Sequence, residues 1–436
     1  MKDNTILIKN ALILNPNNFE NKQKSLLIKN DIISEISDEI NEENVDKVID
    51  ATGKILLPGF INTHTHLSMA LFRGLADDLS LDSWLNDHIW PMEAHLNSEL
   101  IYHGSMLGAI EMIKSGTTCF SDMYYYLDDM AKAVDKTGIR AVLSYGMIDL
   151  NDSEKREGEF KESISAIKNL HNTCDGRITT MFGPHSIYTT SPELLTRTRK
   201  EADKYNVGIH IHMNETKKEI EDSMDLRGLR PFEYLDDLGI LSDDIVAAHC
   251  VWLSDNEIDL IKKYNVKVSH NPCSNSKLSS GIAPISKLID NNICVSIGTD
   301  GASSNNNLDM FEEMKFAALL QKVNTLNPQV LPASQTFSLA TVKGAEALGF
   351  NNIGSIEEDK IADLILVDTN TPNFTPNTNA CSNIVYSANG SNVNTTICNG
   401  EILMENRQIL NLNEKEILDN AVDAFNELKR LKTEAE

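Results

Sequence analysis

The chain has 436 residues, and 64 Asp and Glu against 39 Lys and Arg give a net charge of −25. That balance excludes a counterion-displacing grip on nucleic acid and attraction to an anionic membrane surface. Hydrophobic residues make up 41%, with only 22 Gly and 12 Pro, which excludes disordered and collagenous chains and permits a large core. The length fits two or three domains, or one barrel of about 250 residues with an appended domain. Seven cysteines without a CxxC pair point to thiols in a reducing, cytoplasmic compartment. The start, MKDNTILIKNALILNPN, lacks the uninterrupted apolar stretch of a signal peptide. No apolar run reaches the ~20 residues that span a bilayer.

In chain order, TILIKNALIL, SLLIKNDIISEIS and IDATGKILLPGFINTHTHL are β-branched runs broken by Asn, Asp, Gly and Pro, and predict strands. From about residue 60 to 350, short apolar segments alternate with helical stretches. The segments include TTCFSDM, RAVLSYGMI, ITTMFGPH, VGIHIHMN, IVAAHC, VKVSHNP and ICVSIGTD. About eight such βα units predict an α/β fold with a parallel (β/α)₈ barrel. Strand texture returns in GSIEEDKIADLILVD, SNIVYSA and VNTTICNGEILMEN, and the charged tail has helical periodicity. The expected division is a composite β domain from 1–58 and 352–412, a barrel over 59–351, and a terminal helix over 413–436.

His64 and His66 close an apolar strand as HxH, and residues i and i+2 of a strand share a face. Either pair of such histidines can equally be a packing feature. In HIHMNE, His210 and His212 share a face, with Glu215 three residues on. His212 lies nearer the C-terminal rim, where barrel active sites sit, and is the favoured ligand; His210 reads as structural. His249 ends the strand AAHC and Asp300 follows VSIGT. Singly, these are a core histidine and a turn or cap aspartate. Together, imidazoles and a carboxylate recurring at successive strand ends suit a divalent ion such as Zn²⁺ or Fe²⁺, with a water in an open position.

The segments LPGFINTHTHLSMALFRGLADD, GPHSIYTTSPELL, HIHMNET, AAHCVWLSDNEI, SHNPCSNSKLSSGIAPI and GTDGASSNNNLDMFEEMK resemble, in this order, the amidohydrolase superfamily. Within it the chain is similar to the 5-methylthioadenosine/S-adenosylhomocysteine deaminases and their 5′-deoxyadenosine deaminase relatives, over nearly its whole length. The resemblance implies a distorted TIM barrel with a composite β-sandwich and one ion held by His64, His66, His212 and Asp300. ITTMFGPHSIY offers His185 and no Lys, so a mononuclear centre is expected. The unrelated deaminase fold with P-C-x-x-C is excluded, because Pro272-Cys273 is followed by Ser274-Asn275-Ser276.

Replacing the 6-amino group of adenine with oxygen needs a proton on N1. Glu215 is the candidate acid, Asp300 the candidate proton carrier from water to ammonia, and His249 the candidate partner of the attacking oxygen. The resemblance assigns the same roles and adds Trp84, Glu93 and His185 as substrate contacts; the bland readings are a core Trp and a solvated Glu. Arginines expected to meet the carboxylate of S-adenosylhomocysteine fall at Tyr145, which is no arginine, and near Arg156 in DSEKREGEF. The other histidines, His88, His95, His103 and His171, read as structural, and His270 is unassigned. The alternatives are a guanine, cytosine or aryl-halide enzyme of the same superfamily, and a metal-free interaction module on the same barrel. The expected partner is a small nucleoside rather than nucleic acid or membrane, and the resemblance implies a homo-oligomer such as a tetramer.

Overall fold

The computed structural model describes residues 4–19 and 21–435. Strands from both ends of the chain form one nine-stranded mixed sheet. Its order runs Gln408–Ile409, Glu401–Glu405, Val393–Cys398, Leu364–Asp368, Lys54–Pro58, Thr5–Leu14, Asn21–Lys29 and Ile32–Ser37, with Lys47–Asp50 branching parallel to Thr5–Leu14. The period of two decides which core each residue joins. Leu56, Leu364 and Leu366 pack with Ile6, Ile8 and Ile28 inside the sheet's own fold. Their neighbours Ile55, Leu57, Ile365 and Val367 point the other way, into the main core against the barrel.

Lys54–Pro58 leads through Gly59 into Phe60–Thr65, the first barrel strand. A Cβ on Gly59 would sit 2.1 Å from Thr118 Oγ1, so only glycine permits the crossing from one layer to the other. The other barrel strands are Thr117–Tyr124, Arg140–Met147, Ile178–Pro184, Ile209–Met213, Ile245–His249, Lys267–His270 and Val295–Ile297. Each is parallel to its neighbour, giving the eight-stranded barrel expected from the alternation of strand and helix. The strands are almost wholly buried because helices cover their outward faces, which is why they read as near-continuous apolar runs. The intervening helices are locally specified. Ser254 and Glu257 form a reciprocal capping box on Asp255–Tyr264, and Ser191 caps Pro192–Tyr205 with Pro at its start.

No ladder joins the first and eighth strands. Polar side chains close the seam instead. Thr63 Oγ1 meets Ser296 Oγ at 2.8 Å and Ser269 Oγ at 2.7 Å, and Asn62 Nδ2 donates to Thr299 Oγ1 at 2.7 Å. Asp300 N donates to His64 O at 2.9 Å. Gly298 allows this approach, since a Cβ there would lie 2.7 Å from His64 N. The seam therefore ties together the two strand ends that carry His64 and Asp300. At the opposite end, the buried pair Arg140–Asp363 (2.8 Å) bolts the third barrel strand to the terminal sheet, with Asn399 Oδ1 3.0 Å from Arg140 Nη2.

One sequence expectation is corrected. SNIVYSA is not a strand; its first five residues lie in the helix Ala380–Tyr386. Asn379 caps that helix by accepting from Ser382 N at 2.9 Å, and Ala380, Cys381, Ile384 and Val385 form one buried helical face. No helix among the described residues is long and apolar enough to cross a membrane.

Candidate metal centre and active site

His64, His66 and His212 converge at the C-terminal mouth of the barrel, and one ligand atom of each lies within 4.8 Å of the others. His64, His249 and Asp300 form a second such group around the same point. Each of the three clustered imidazoles has its Nδ1 engaged away from the centre. His66 Nδ1–H donates to Met123 O at 2.7 Å, and His212 Nδ1–H donates to His185 O at 2.7 Å. His64 Nδ1 lies 2.8 Å from His210 Nε2, and His210 Nδ1 lies 3.3 Å from Ser121 Oγ. A proton on Nδ1 of His64 therefore leaves all three Nε2 lone pairs facing one space, the tautomer that metal ligation requires.

His64 Nε2 is buried and has no hydrogen-bond partner, an atom that a cation would satisfy. Asp300 Oδ1 stands 3.3 Å from His66 Nε2 and 3.5 Å from His64 Nε2, while its Oδ2 accepts from Ser274 Oγ at 2.6 Å. Asp300 sits in the left-handed backbone region at φ 61° and His249 at φ 73°, conformations that non-glycine residues adopt only when the surroundings impose them. Nitrogen and carboxylate donors of this kind fit a divalent metal ion.

The electrostatics agree. Burial raises the proton affinity of Asp300, but His64 and His66 outweigh it and hold the carboxyl well below its ordinary range. Burial also opposes charge on His66, yet Asp300 and Asp122 hold that imidazole up to about 9 in the ion-free chain. That proton must leave when a cation is bound, which couples metal uptake to pH. Burial takes His64 down to about 4 and His185 to about 3, so both are neutral near pH 7.

Glu215 follows the fifth strand and is 6% exposed. Its Oε2 lies 3.8 Å from His249 Nε2, and Ser280 Oγ approaches Oε1 at 3.5 Å. Burial raises its pKa, which suits a carboxylic acid that donates a proton. His249 Nδ1–H donates to Asn275 Oδ1 at 2.9 Å, directing Nε2 toward the cavity.

Trp84, Glu93 and His185 line the same cavity as His66, His212, Glu215, His249 and Asp300. Glu93 accepts from Tyr124 OH at 2.6 Å, and burial pushes its pKa up to about 7. Arg156 is not brought to this cavity. Its Nε donates to the buried Asp149 at 2.8 Å and to Ser191 Oγ at 3.1 Å, so its guanidinium serves the wall of the barrel. Tyr145 borders a neighbouring cavity instead.

Several residues that support the site escaped the sequence reading. His210, taken as structural, is the hydrogen-bond partner of His64. Glu219 accepts from Glu215 N at 2.8 Å and Asn214 N at 3.0 Å, fixing the loop that presents Glu215. Glu257 holds Asn214 Nδ2 at 2.8 Å from the other side. The pattern Thr216-x-x-Glu219, a capping-box spacing, was the available signal. His270 is buried at the seventh strand end, and neither ring nitrogen has a partner.

Residues 55–403 match the family described as the amidohydrolase family. A protein of Methanobrevibacter smithii named 5′-deoxyadenosine deaminase is 65% identical over 98% of this chain and 99% of its own length. One of the same name from Methanothermobacter thermautotrophicus is 51% identical over 98% and 100%. The crystal structure of an adenosine deaminase from Xanthomonas campestris with bound zinc superposes with a TM-score of 0.93 at 32% identity, covering 98% of each chain. An atrazine chlorohydrolase from Arthrobacter aurescens shares the fold, with a TM-score of 0.91 at 23% identity over 96% of this chain and all of that one. Matched over most of its length by the family and over nearly all of it by close relatives, the chain belongs to the amidohydrolase family.

Proposed function

We propose that this chain is a metal-dependent hydrolytic deaminase of 5′-modified adenosines, with 5′-deoxyadenosine foremost and 5′-methylthioadenosine, S-adenosylhomocysteine and adenosine as further substrates. The observation that carries this reading is the convergence of three imidazole Nε2 atoms and Asp300 in a cavity that also holds Glu215 and His249. The names of the relatives support the substrate class.

His64, His66, His212 and Asp300 would hold one divalent ion, Zn²⁺ ahead of Fe²⁺. The ion supplies a water acidic enough to act as a nucleophile near neutral pH. Glu215 delivers a proton to N1 of the purine, making C6 electrophilic. Asp300 takes a proton from the attacking water and returns it to the departing amino group. His249 hydrogen-bonds the attacking oxygen as charge develops on it. Water adds at C6, the remaining proton of the C6 hydroxyl returns to the Glu215 carboxylate as the C6–N bond breaks, and the products are the inosine analogue and ammonia. Glu93 accepts from the ribose hydroxyls, His185 adds a neutral polar contact, and Trp84 walls the nucleoside. Arg156, bound to Asp149, is left out of substrate binding.

The seven cysteines are all unpaired, which accords with a reducing cytoplasm. A panel of 5′-deoxyadenosine, methylthioadenosine, S-adenosylhomocysteine, adenosine, guanine and cytosine, scored by ammonia release from the metal-loaded protein, tests the reading. Turnover of guanine or cytosine in preference to every nucleoside would overturn it.

A further inference from the structure

The run Tyr124-Tyr125-Tyr126 ends the second barrel strand, Thr117–Tyr124, and takes no part in the chemistry proposed above. Two of its hydroxyls reach the segment that carries Glu93. Tyr124 OH donates to Glu93 Oε1 at 2.6 Å, and Tyr126 OH donates to Leu96 O at 3.1 Å. That segment needs outside support. Trp84–Ile89 is a π-helical run, and Trp90–Glu93 is a single α-helical turn, too short to be stable by its own hydrogen bonds. The same strand end also holds the metal side of the cavity, because Met123 O accepts from His66 Nδ1 at 2.7 Å. The Tyr124 ring centroid lies 6.0 Å from that of His66. Met123 and Tyr124 together set the spacing between a metal ligand and Glu93. Tyr124 is 4% exposed, and no other group among the described residues donates to the Glu93 carboxylate.

We infer that Tyr124 is a positioning residue that makes Glu93 a reader of the ribose diol, and that through Glu93 it selects ribonucleosides over their deoxy analogues. The inference rests on the nucleoside reading proposed above, in which Glu93 accepts from the ribose hydroxyls. Two neighbouring hydroxyls each bring a hydrogen, so the group that binds both must be an ionised carboxylate held in one orientation. Tyr124 takes one lone pair of Oε1 and fixes the rotation of the carboxylate. Oε2 and the second lone pair of Oε1 stay available for substrate. The same donation favours the ionised form against the burial that pushes Glu93 up to about 7. Phenylalanine at 124 would keep the ring beside His66 and remove only the donor.

The test compares 5′-deoxyadenosine with 2′,3′,5′-trideoxyadenosine, which lacks both hydroxyls. Kd is measured by calorimetry on the metal-loaded Glu215→Gln protein, where slow chemistry leaves the ligand intact, and the readout is the ratio of the two values. The diol should bind at least about a hundredfold tighter, the scale of two hydrogen bonds to a charged group. Adding Tyr124→Phe should cut that ratio by about tenfold, and Glu93→Gln should cut it at least as far. Tyr124→Phe on top of Glu93→Gln should change the ratio by less than about twofold, because the tyrosine acts through the carboxylate. Tyr126→Phe releases the same segment at Leu96 without touching Glu93, so it should weaken both ligands together and leave the ratio within about twofold. A general loosening of the fold likewise moves both Kd values and not their ratio. The inference is overturned by a ratio unchanged in Tyr124→Phe or in Glu93→Gln, by a further tenfold fall when the two are combined, or by an equal fall in Tyr126→Phe. Turnover of 5′-deoxyadenosine by the unmodified enzyme is scored separately, and its failure counts against the deaminase reading and not against the binding ratios.

Discussion

His210→Leu should weaken metal binding without unfolding the barrel. In the native chain His210 Nε2 sits 2.8 Å from His64 Nδ1, and both side chains are fully buried. A cation on Nε2 of His64 requires its proton on Nδ1, where His210 accepts it. With leucine at 210, the ion-free protein can shift that proton to Nε2, toward Asp300 Oδ1 3.5 Å away, and leave a bare Nδ1 against the new side chain. Binding the ion then forces a buried N–H to face hydrocarbon. An unsatisfied buried donor costs about 1–3 kcal/mol, or roughly 5- to 150-fold in Kd, which agrees with the 10- to 100-fold scale of ligand-orienting partners. The assay is competition for Zn²⁺ against a chelator of known affinity, with circular dichroism and a thermal melt of the ion-free protein as the control for folding. His210→Gln, whose amide oxygen can accept from His64, should recover part of the loss. A folded His210→Leu protein with wild-type Zn²⁺ affinity would show that His210 does not set the His64 tautomer for metal binding.

Glu215→Gln should retain the metal and lose several orders of magnitude in kcat, since an amide cannot donate the N1 proton. Because burial raises the pKa of Glu215, its acid form persists above the ordinary range, and kcat should fall as pH rises through the shifted value; a pH profile flat on its alkaline side would contradict that role. Glu219→Gln places an NH₂ against one of two backbone N–H groups, at 2.8 and 3.0 Å, and should lower kcat far more than it changes metal content. Asp363→Ala strands Arg140 in the barrel floor and should cost about 3–5 kcal/mol in denaturant unfolding. Ser191 and Arg156 outweigh burial and hold the Asp149 carboxyl below its usual range. Its stabilisation is therefore present above about pH 4 and lost as pH falls through the folded-state value, so Asp149→Asn should flatten the acid side of the Tm–pH curve.

What the sequence made legible follows from its periods. His64 and His66 are two apart at a strand end, and so are His210 and His212, so shared faces could be read directly. The alternation of apolar runs and amphipathic stretches identified the barrel, and the strand texture of both termini identified a shared sheet. Contacts across the barrel were not legible. His210 meets His64 from 146 residues away, and nothing local distinguishes it from a packed histidine. Arg156 looked available for substrate because its partner Asp149 lies seven residues earlier on the preceding strand-to-helix loop, where no helical spacing relates the two. SNIVYSA misled because β-branched residues in a short run resemble a strand, while the decisive feature was the cap at Asn379.

One ion at His64, His66, His212 and Asp300 is proposed to enable deamination of a 5′-modified adenosine. The direct measurement strips the protein with chelator, restores Zn²⁺ in increments, and follows both bound metal and ammonia released from 5′-deoxyadenosine. Activity should rise linearly to a plateau at one ion per chain, with neither binding nor activity in His212→Ala. Full turnover in the stripped protein, or in His212→Ala without bound metal, would rule out a role for the ion at these residues.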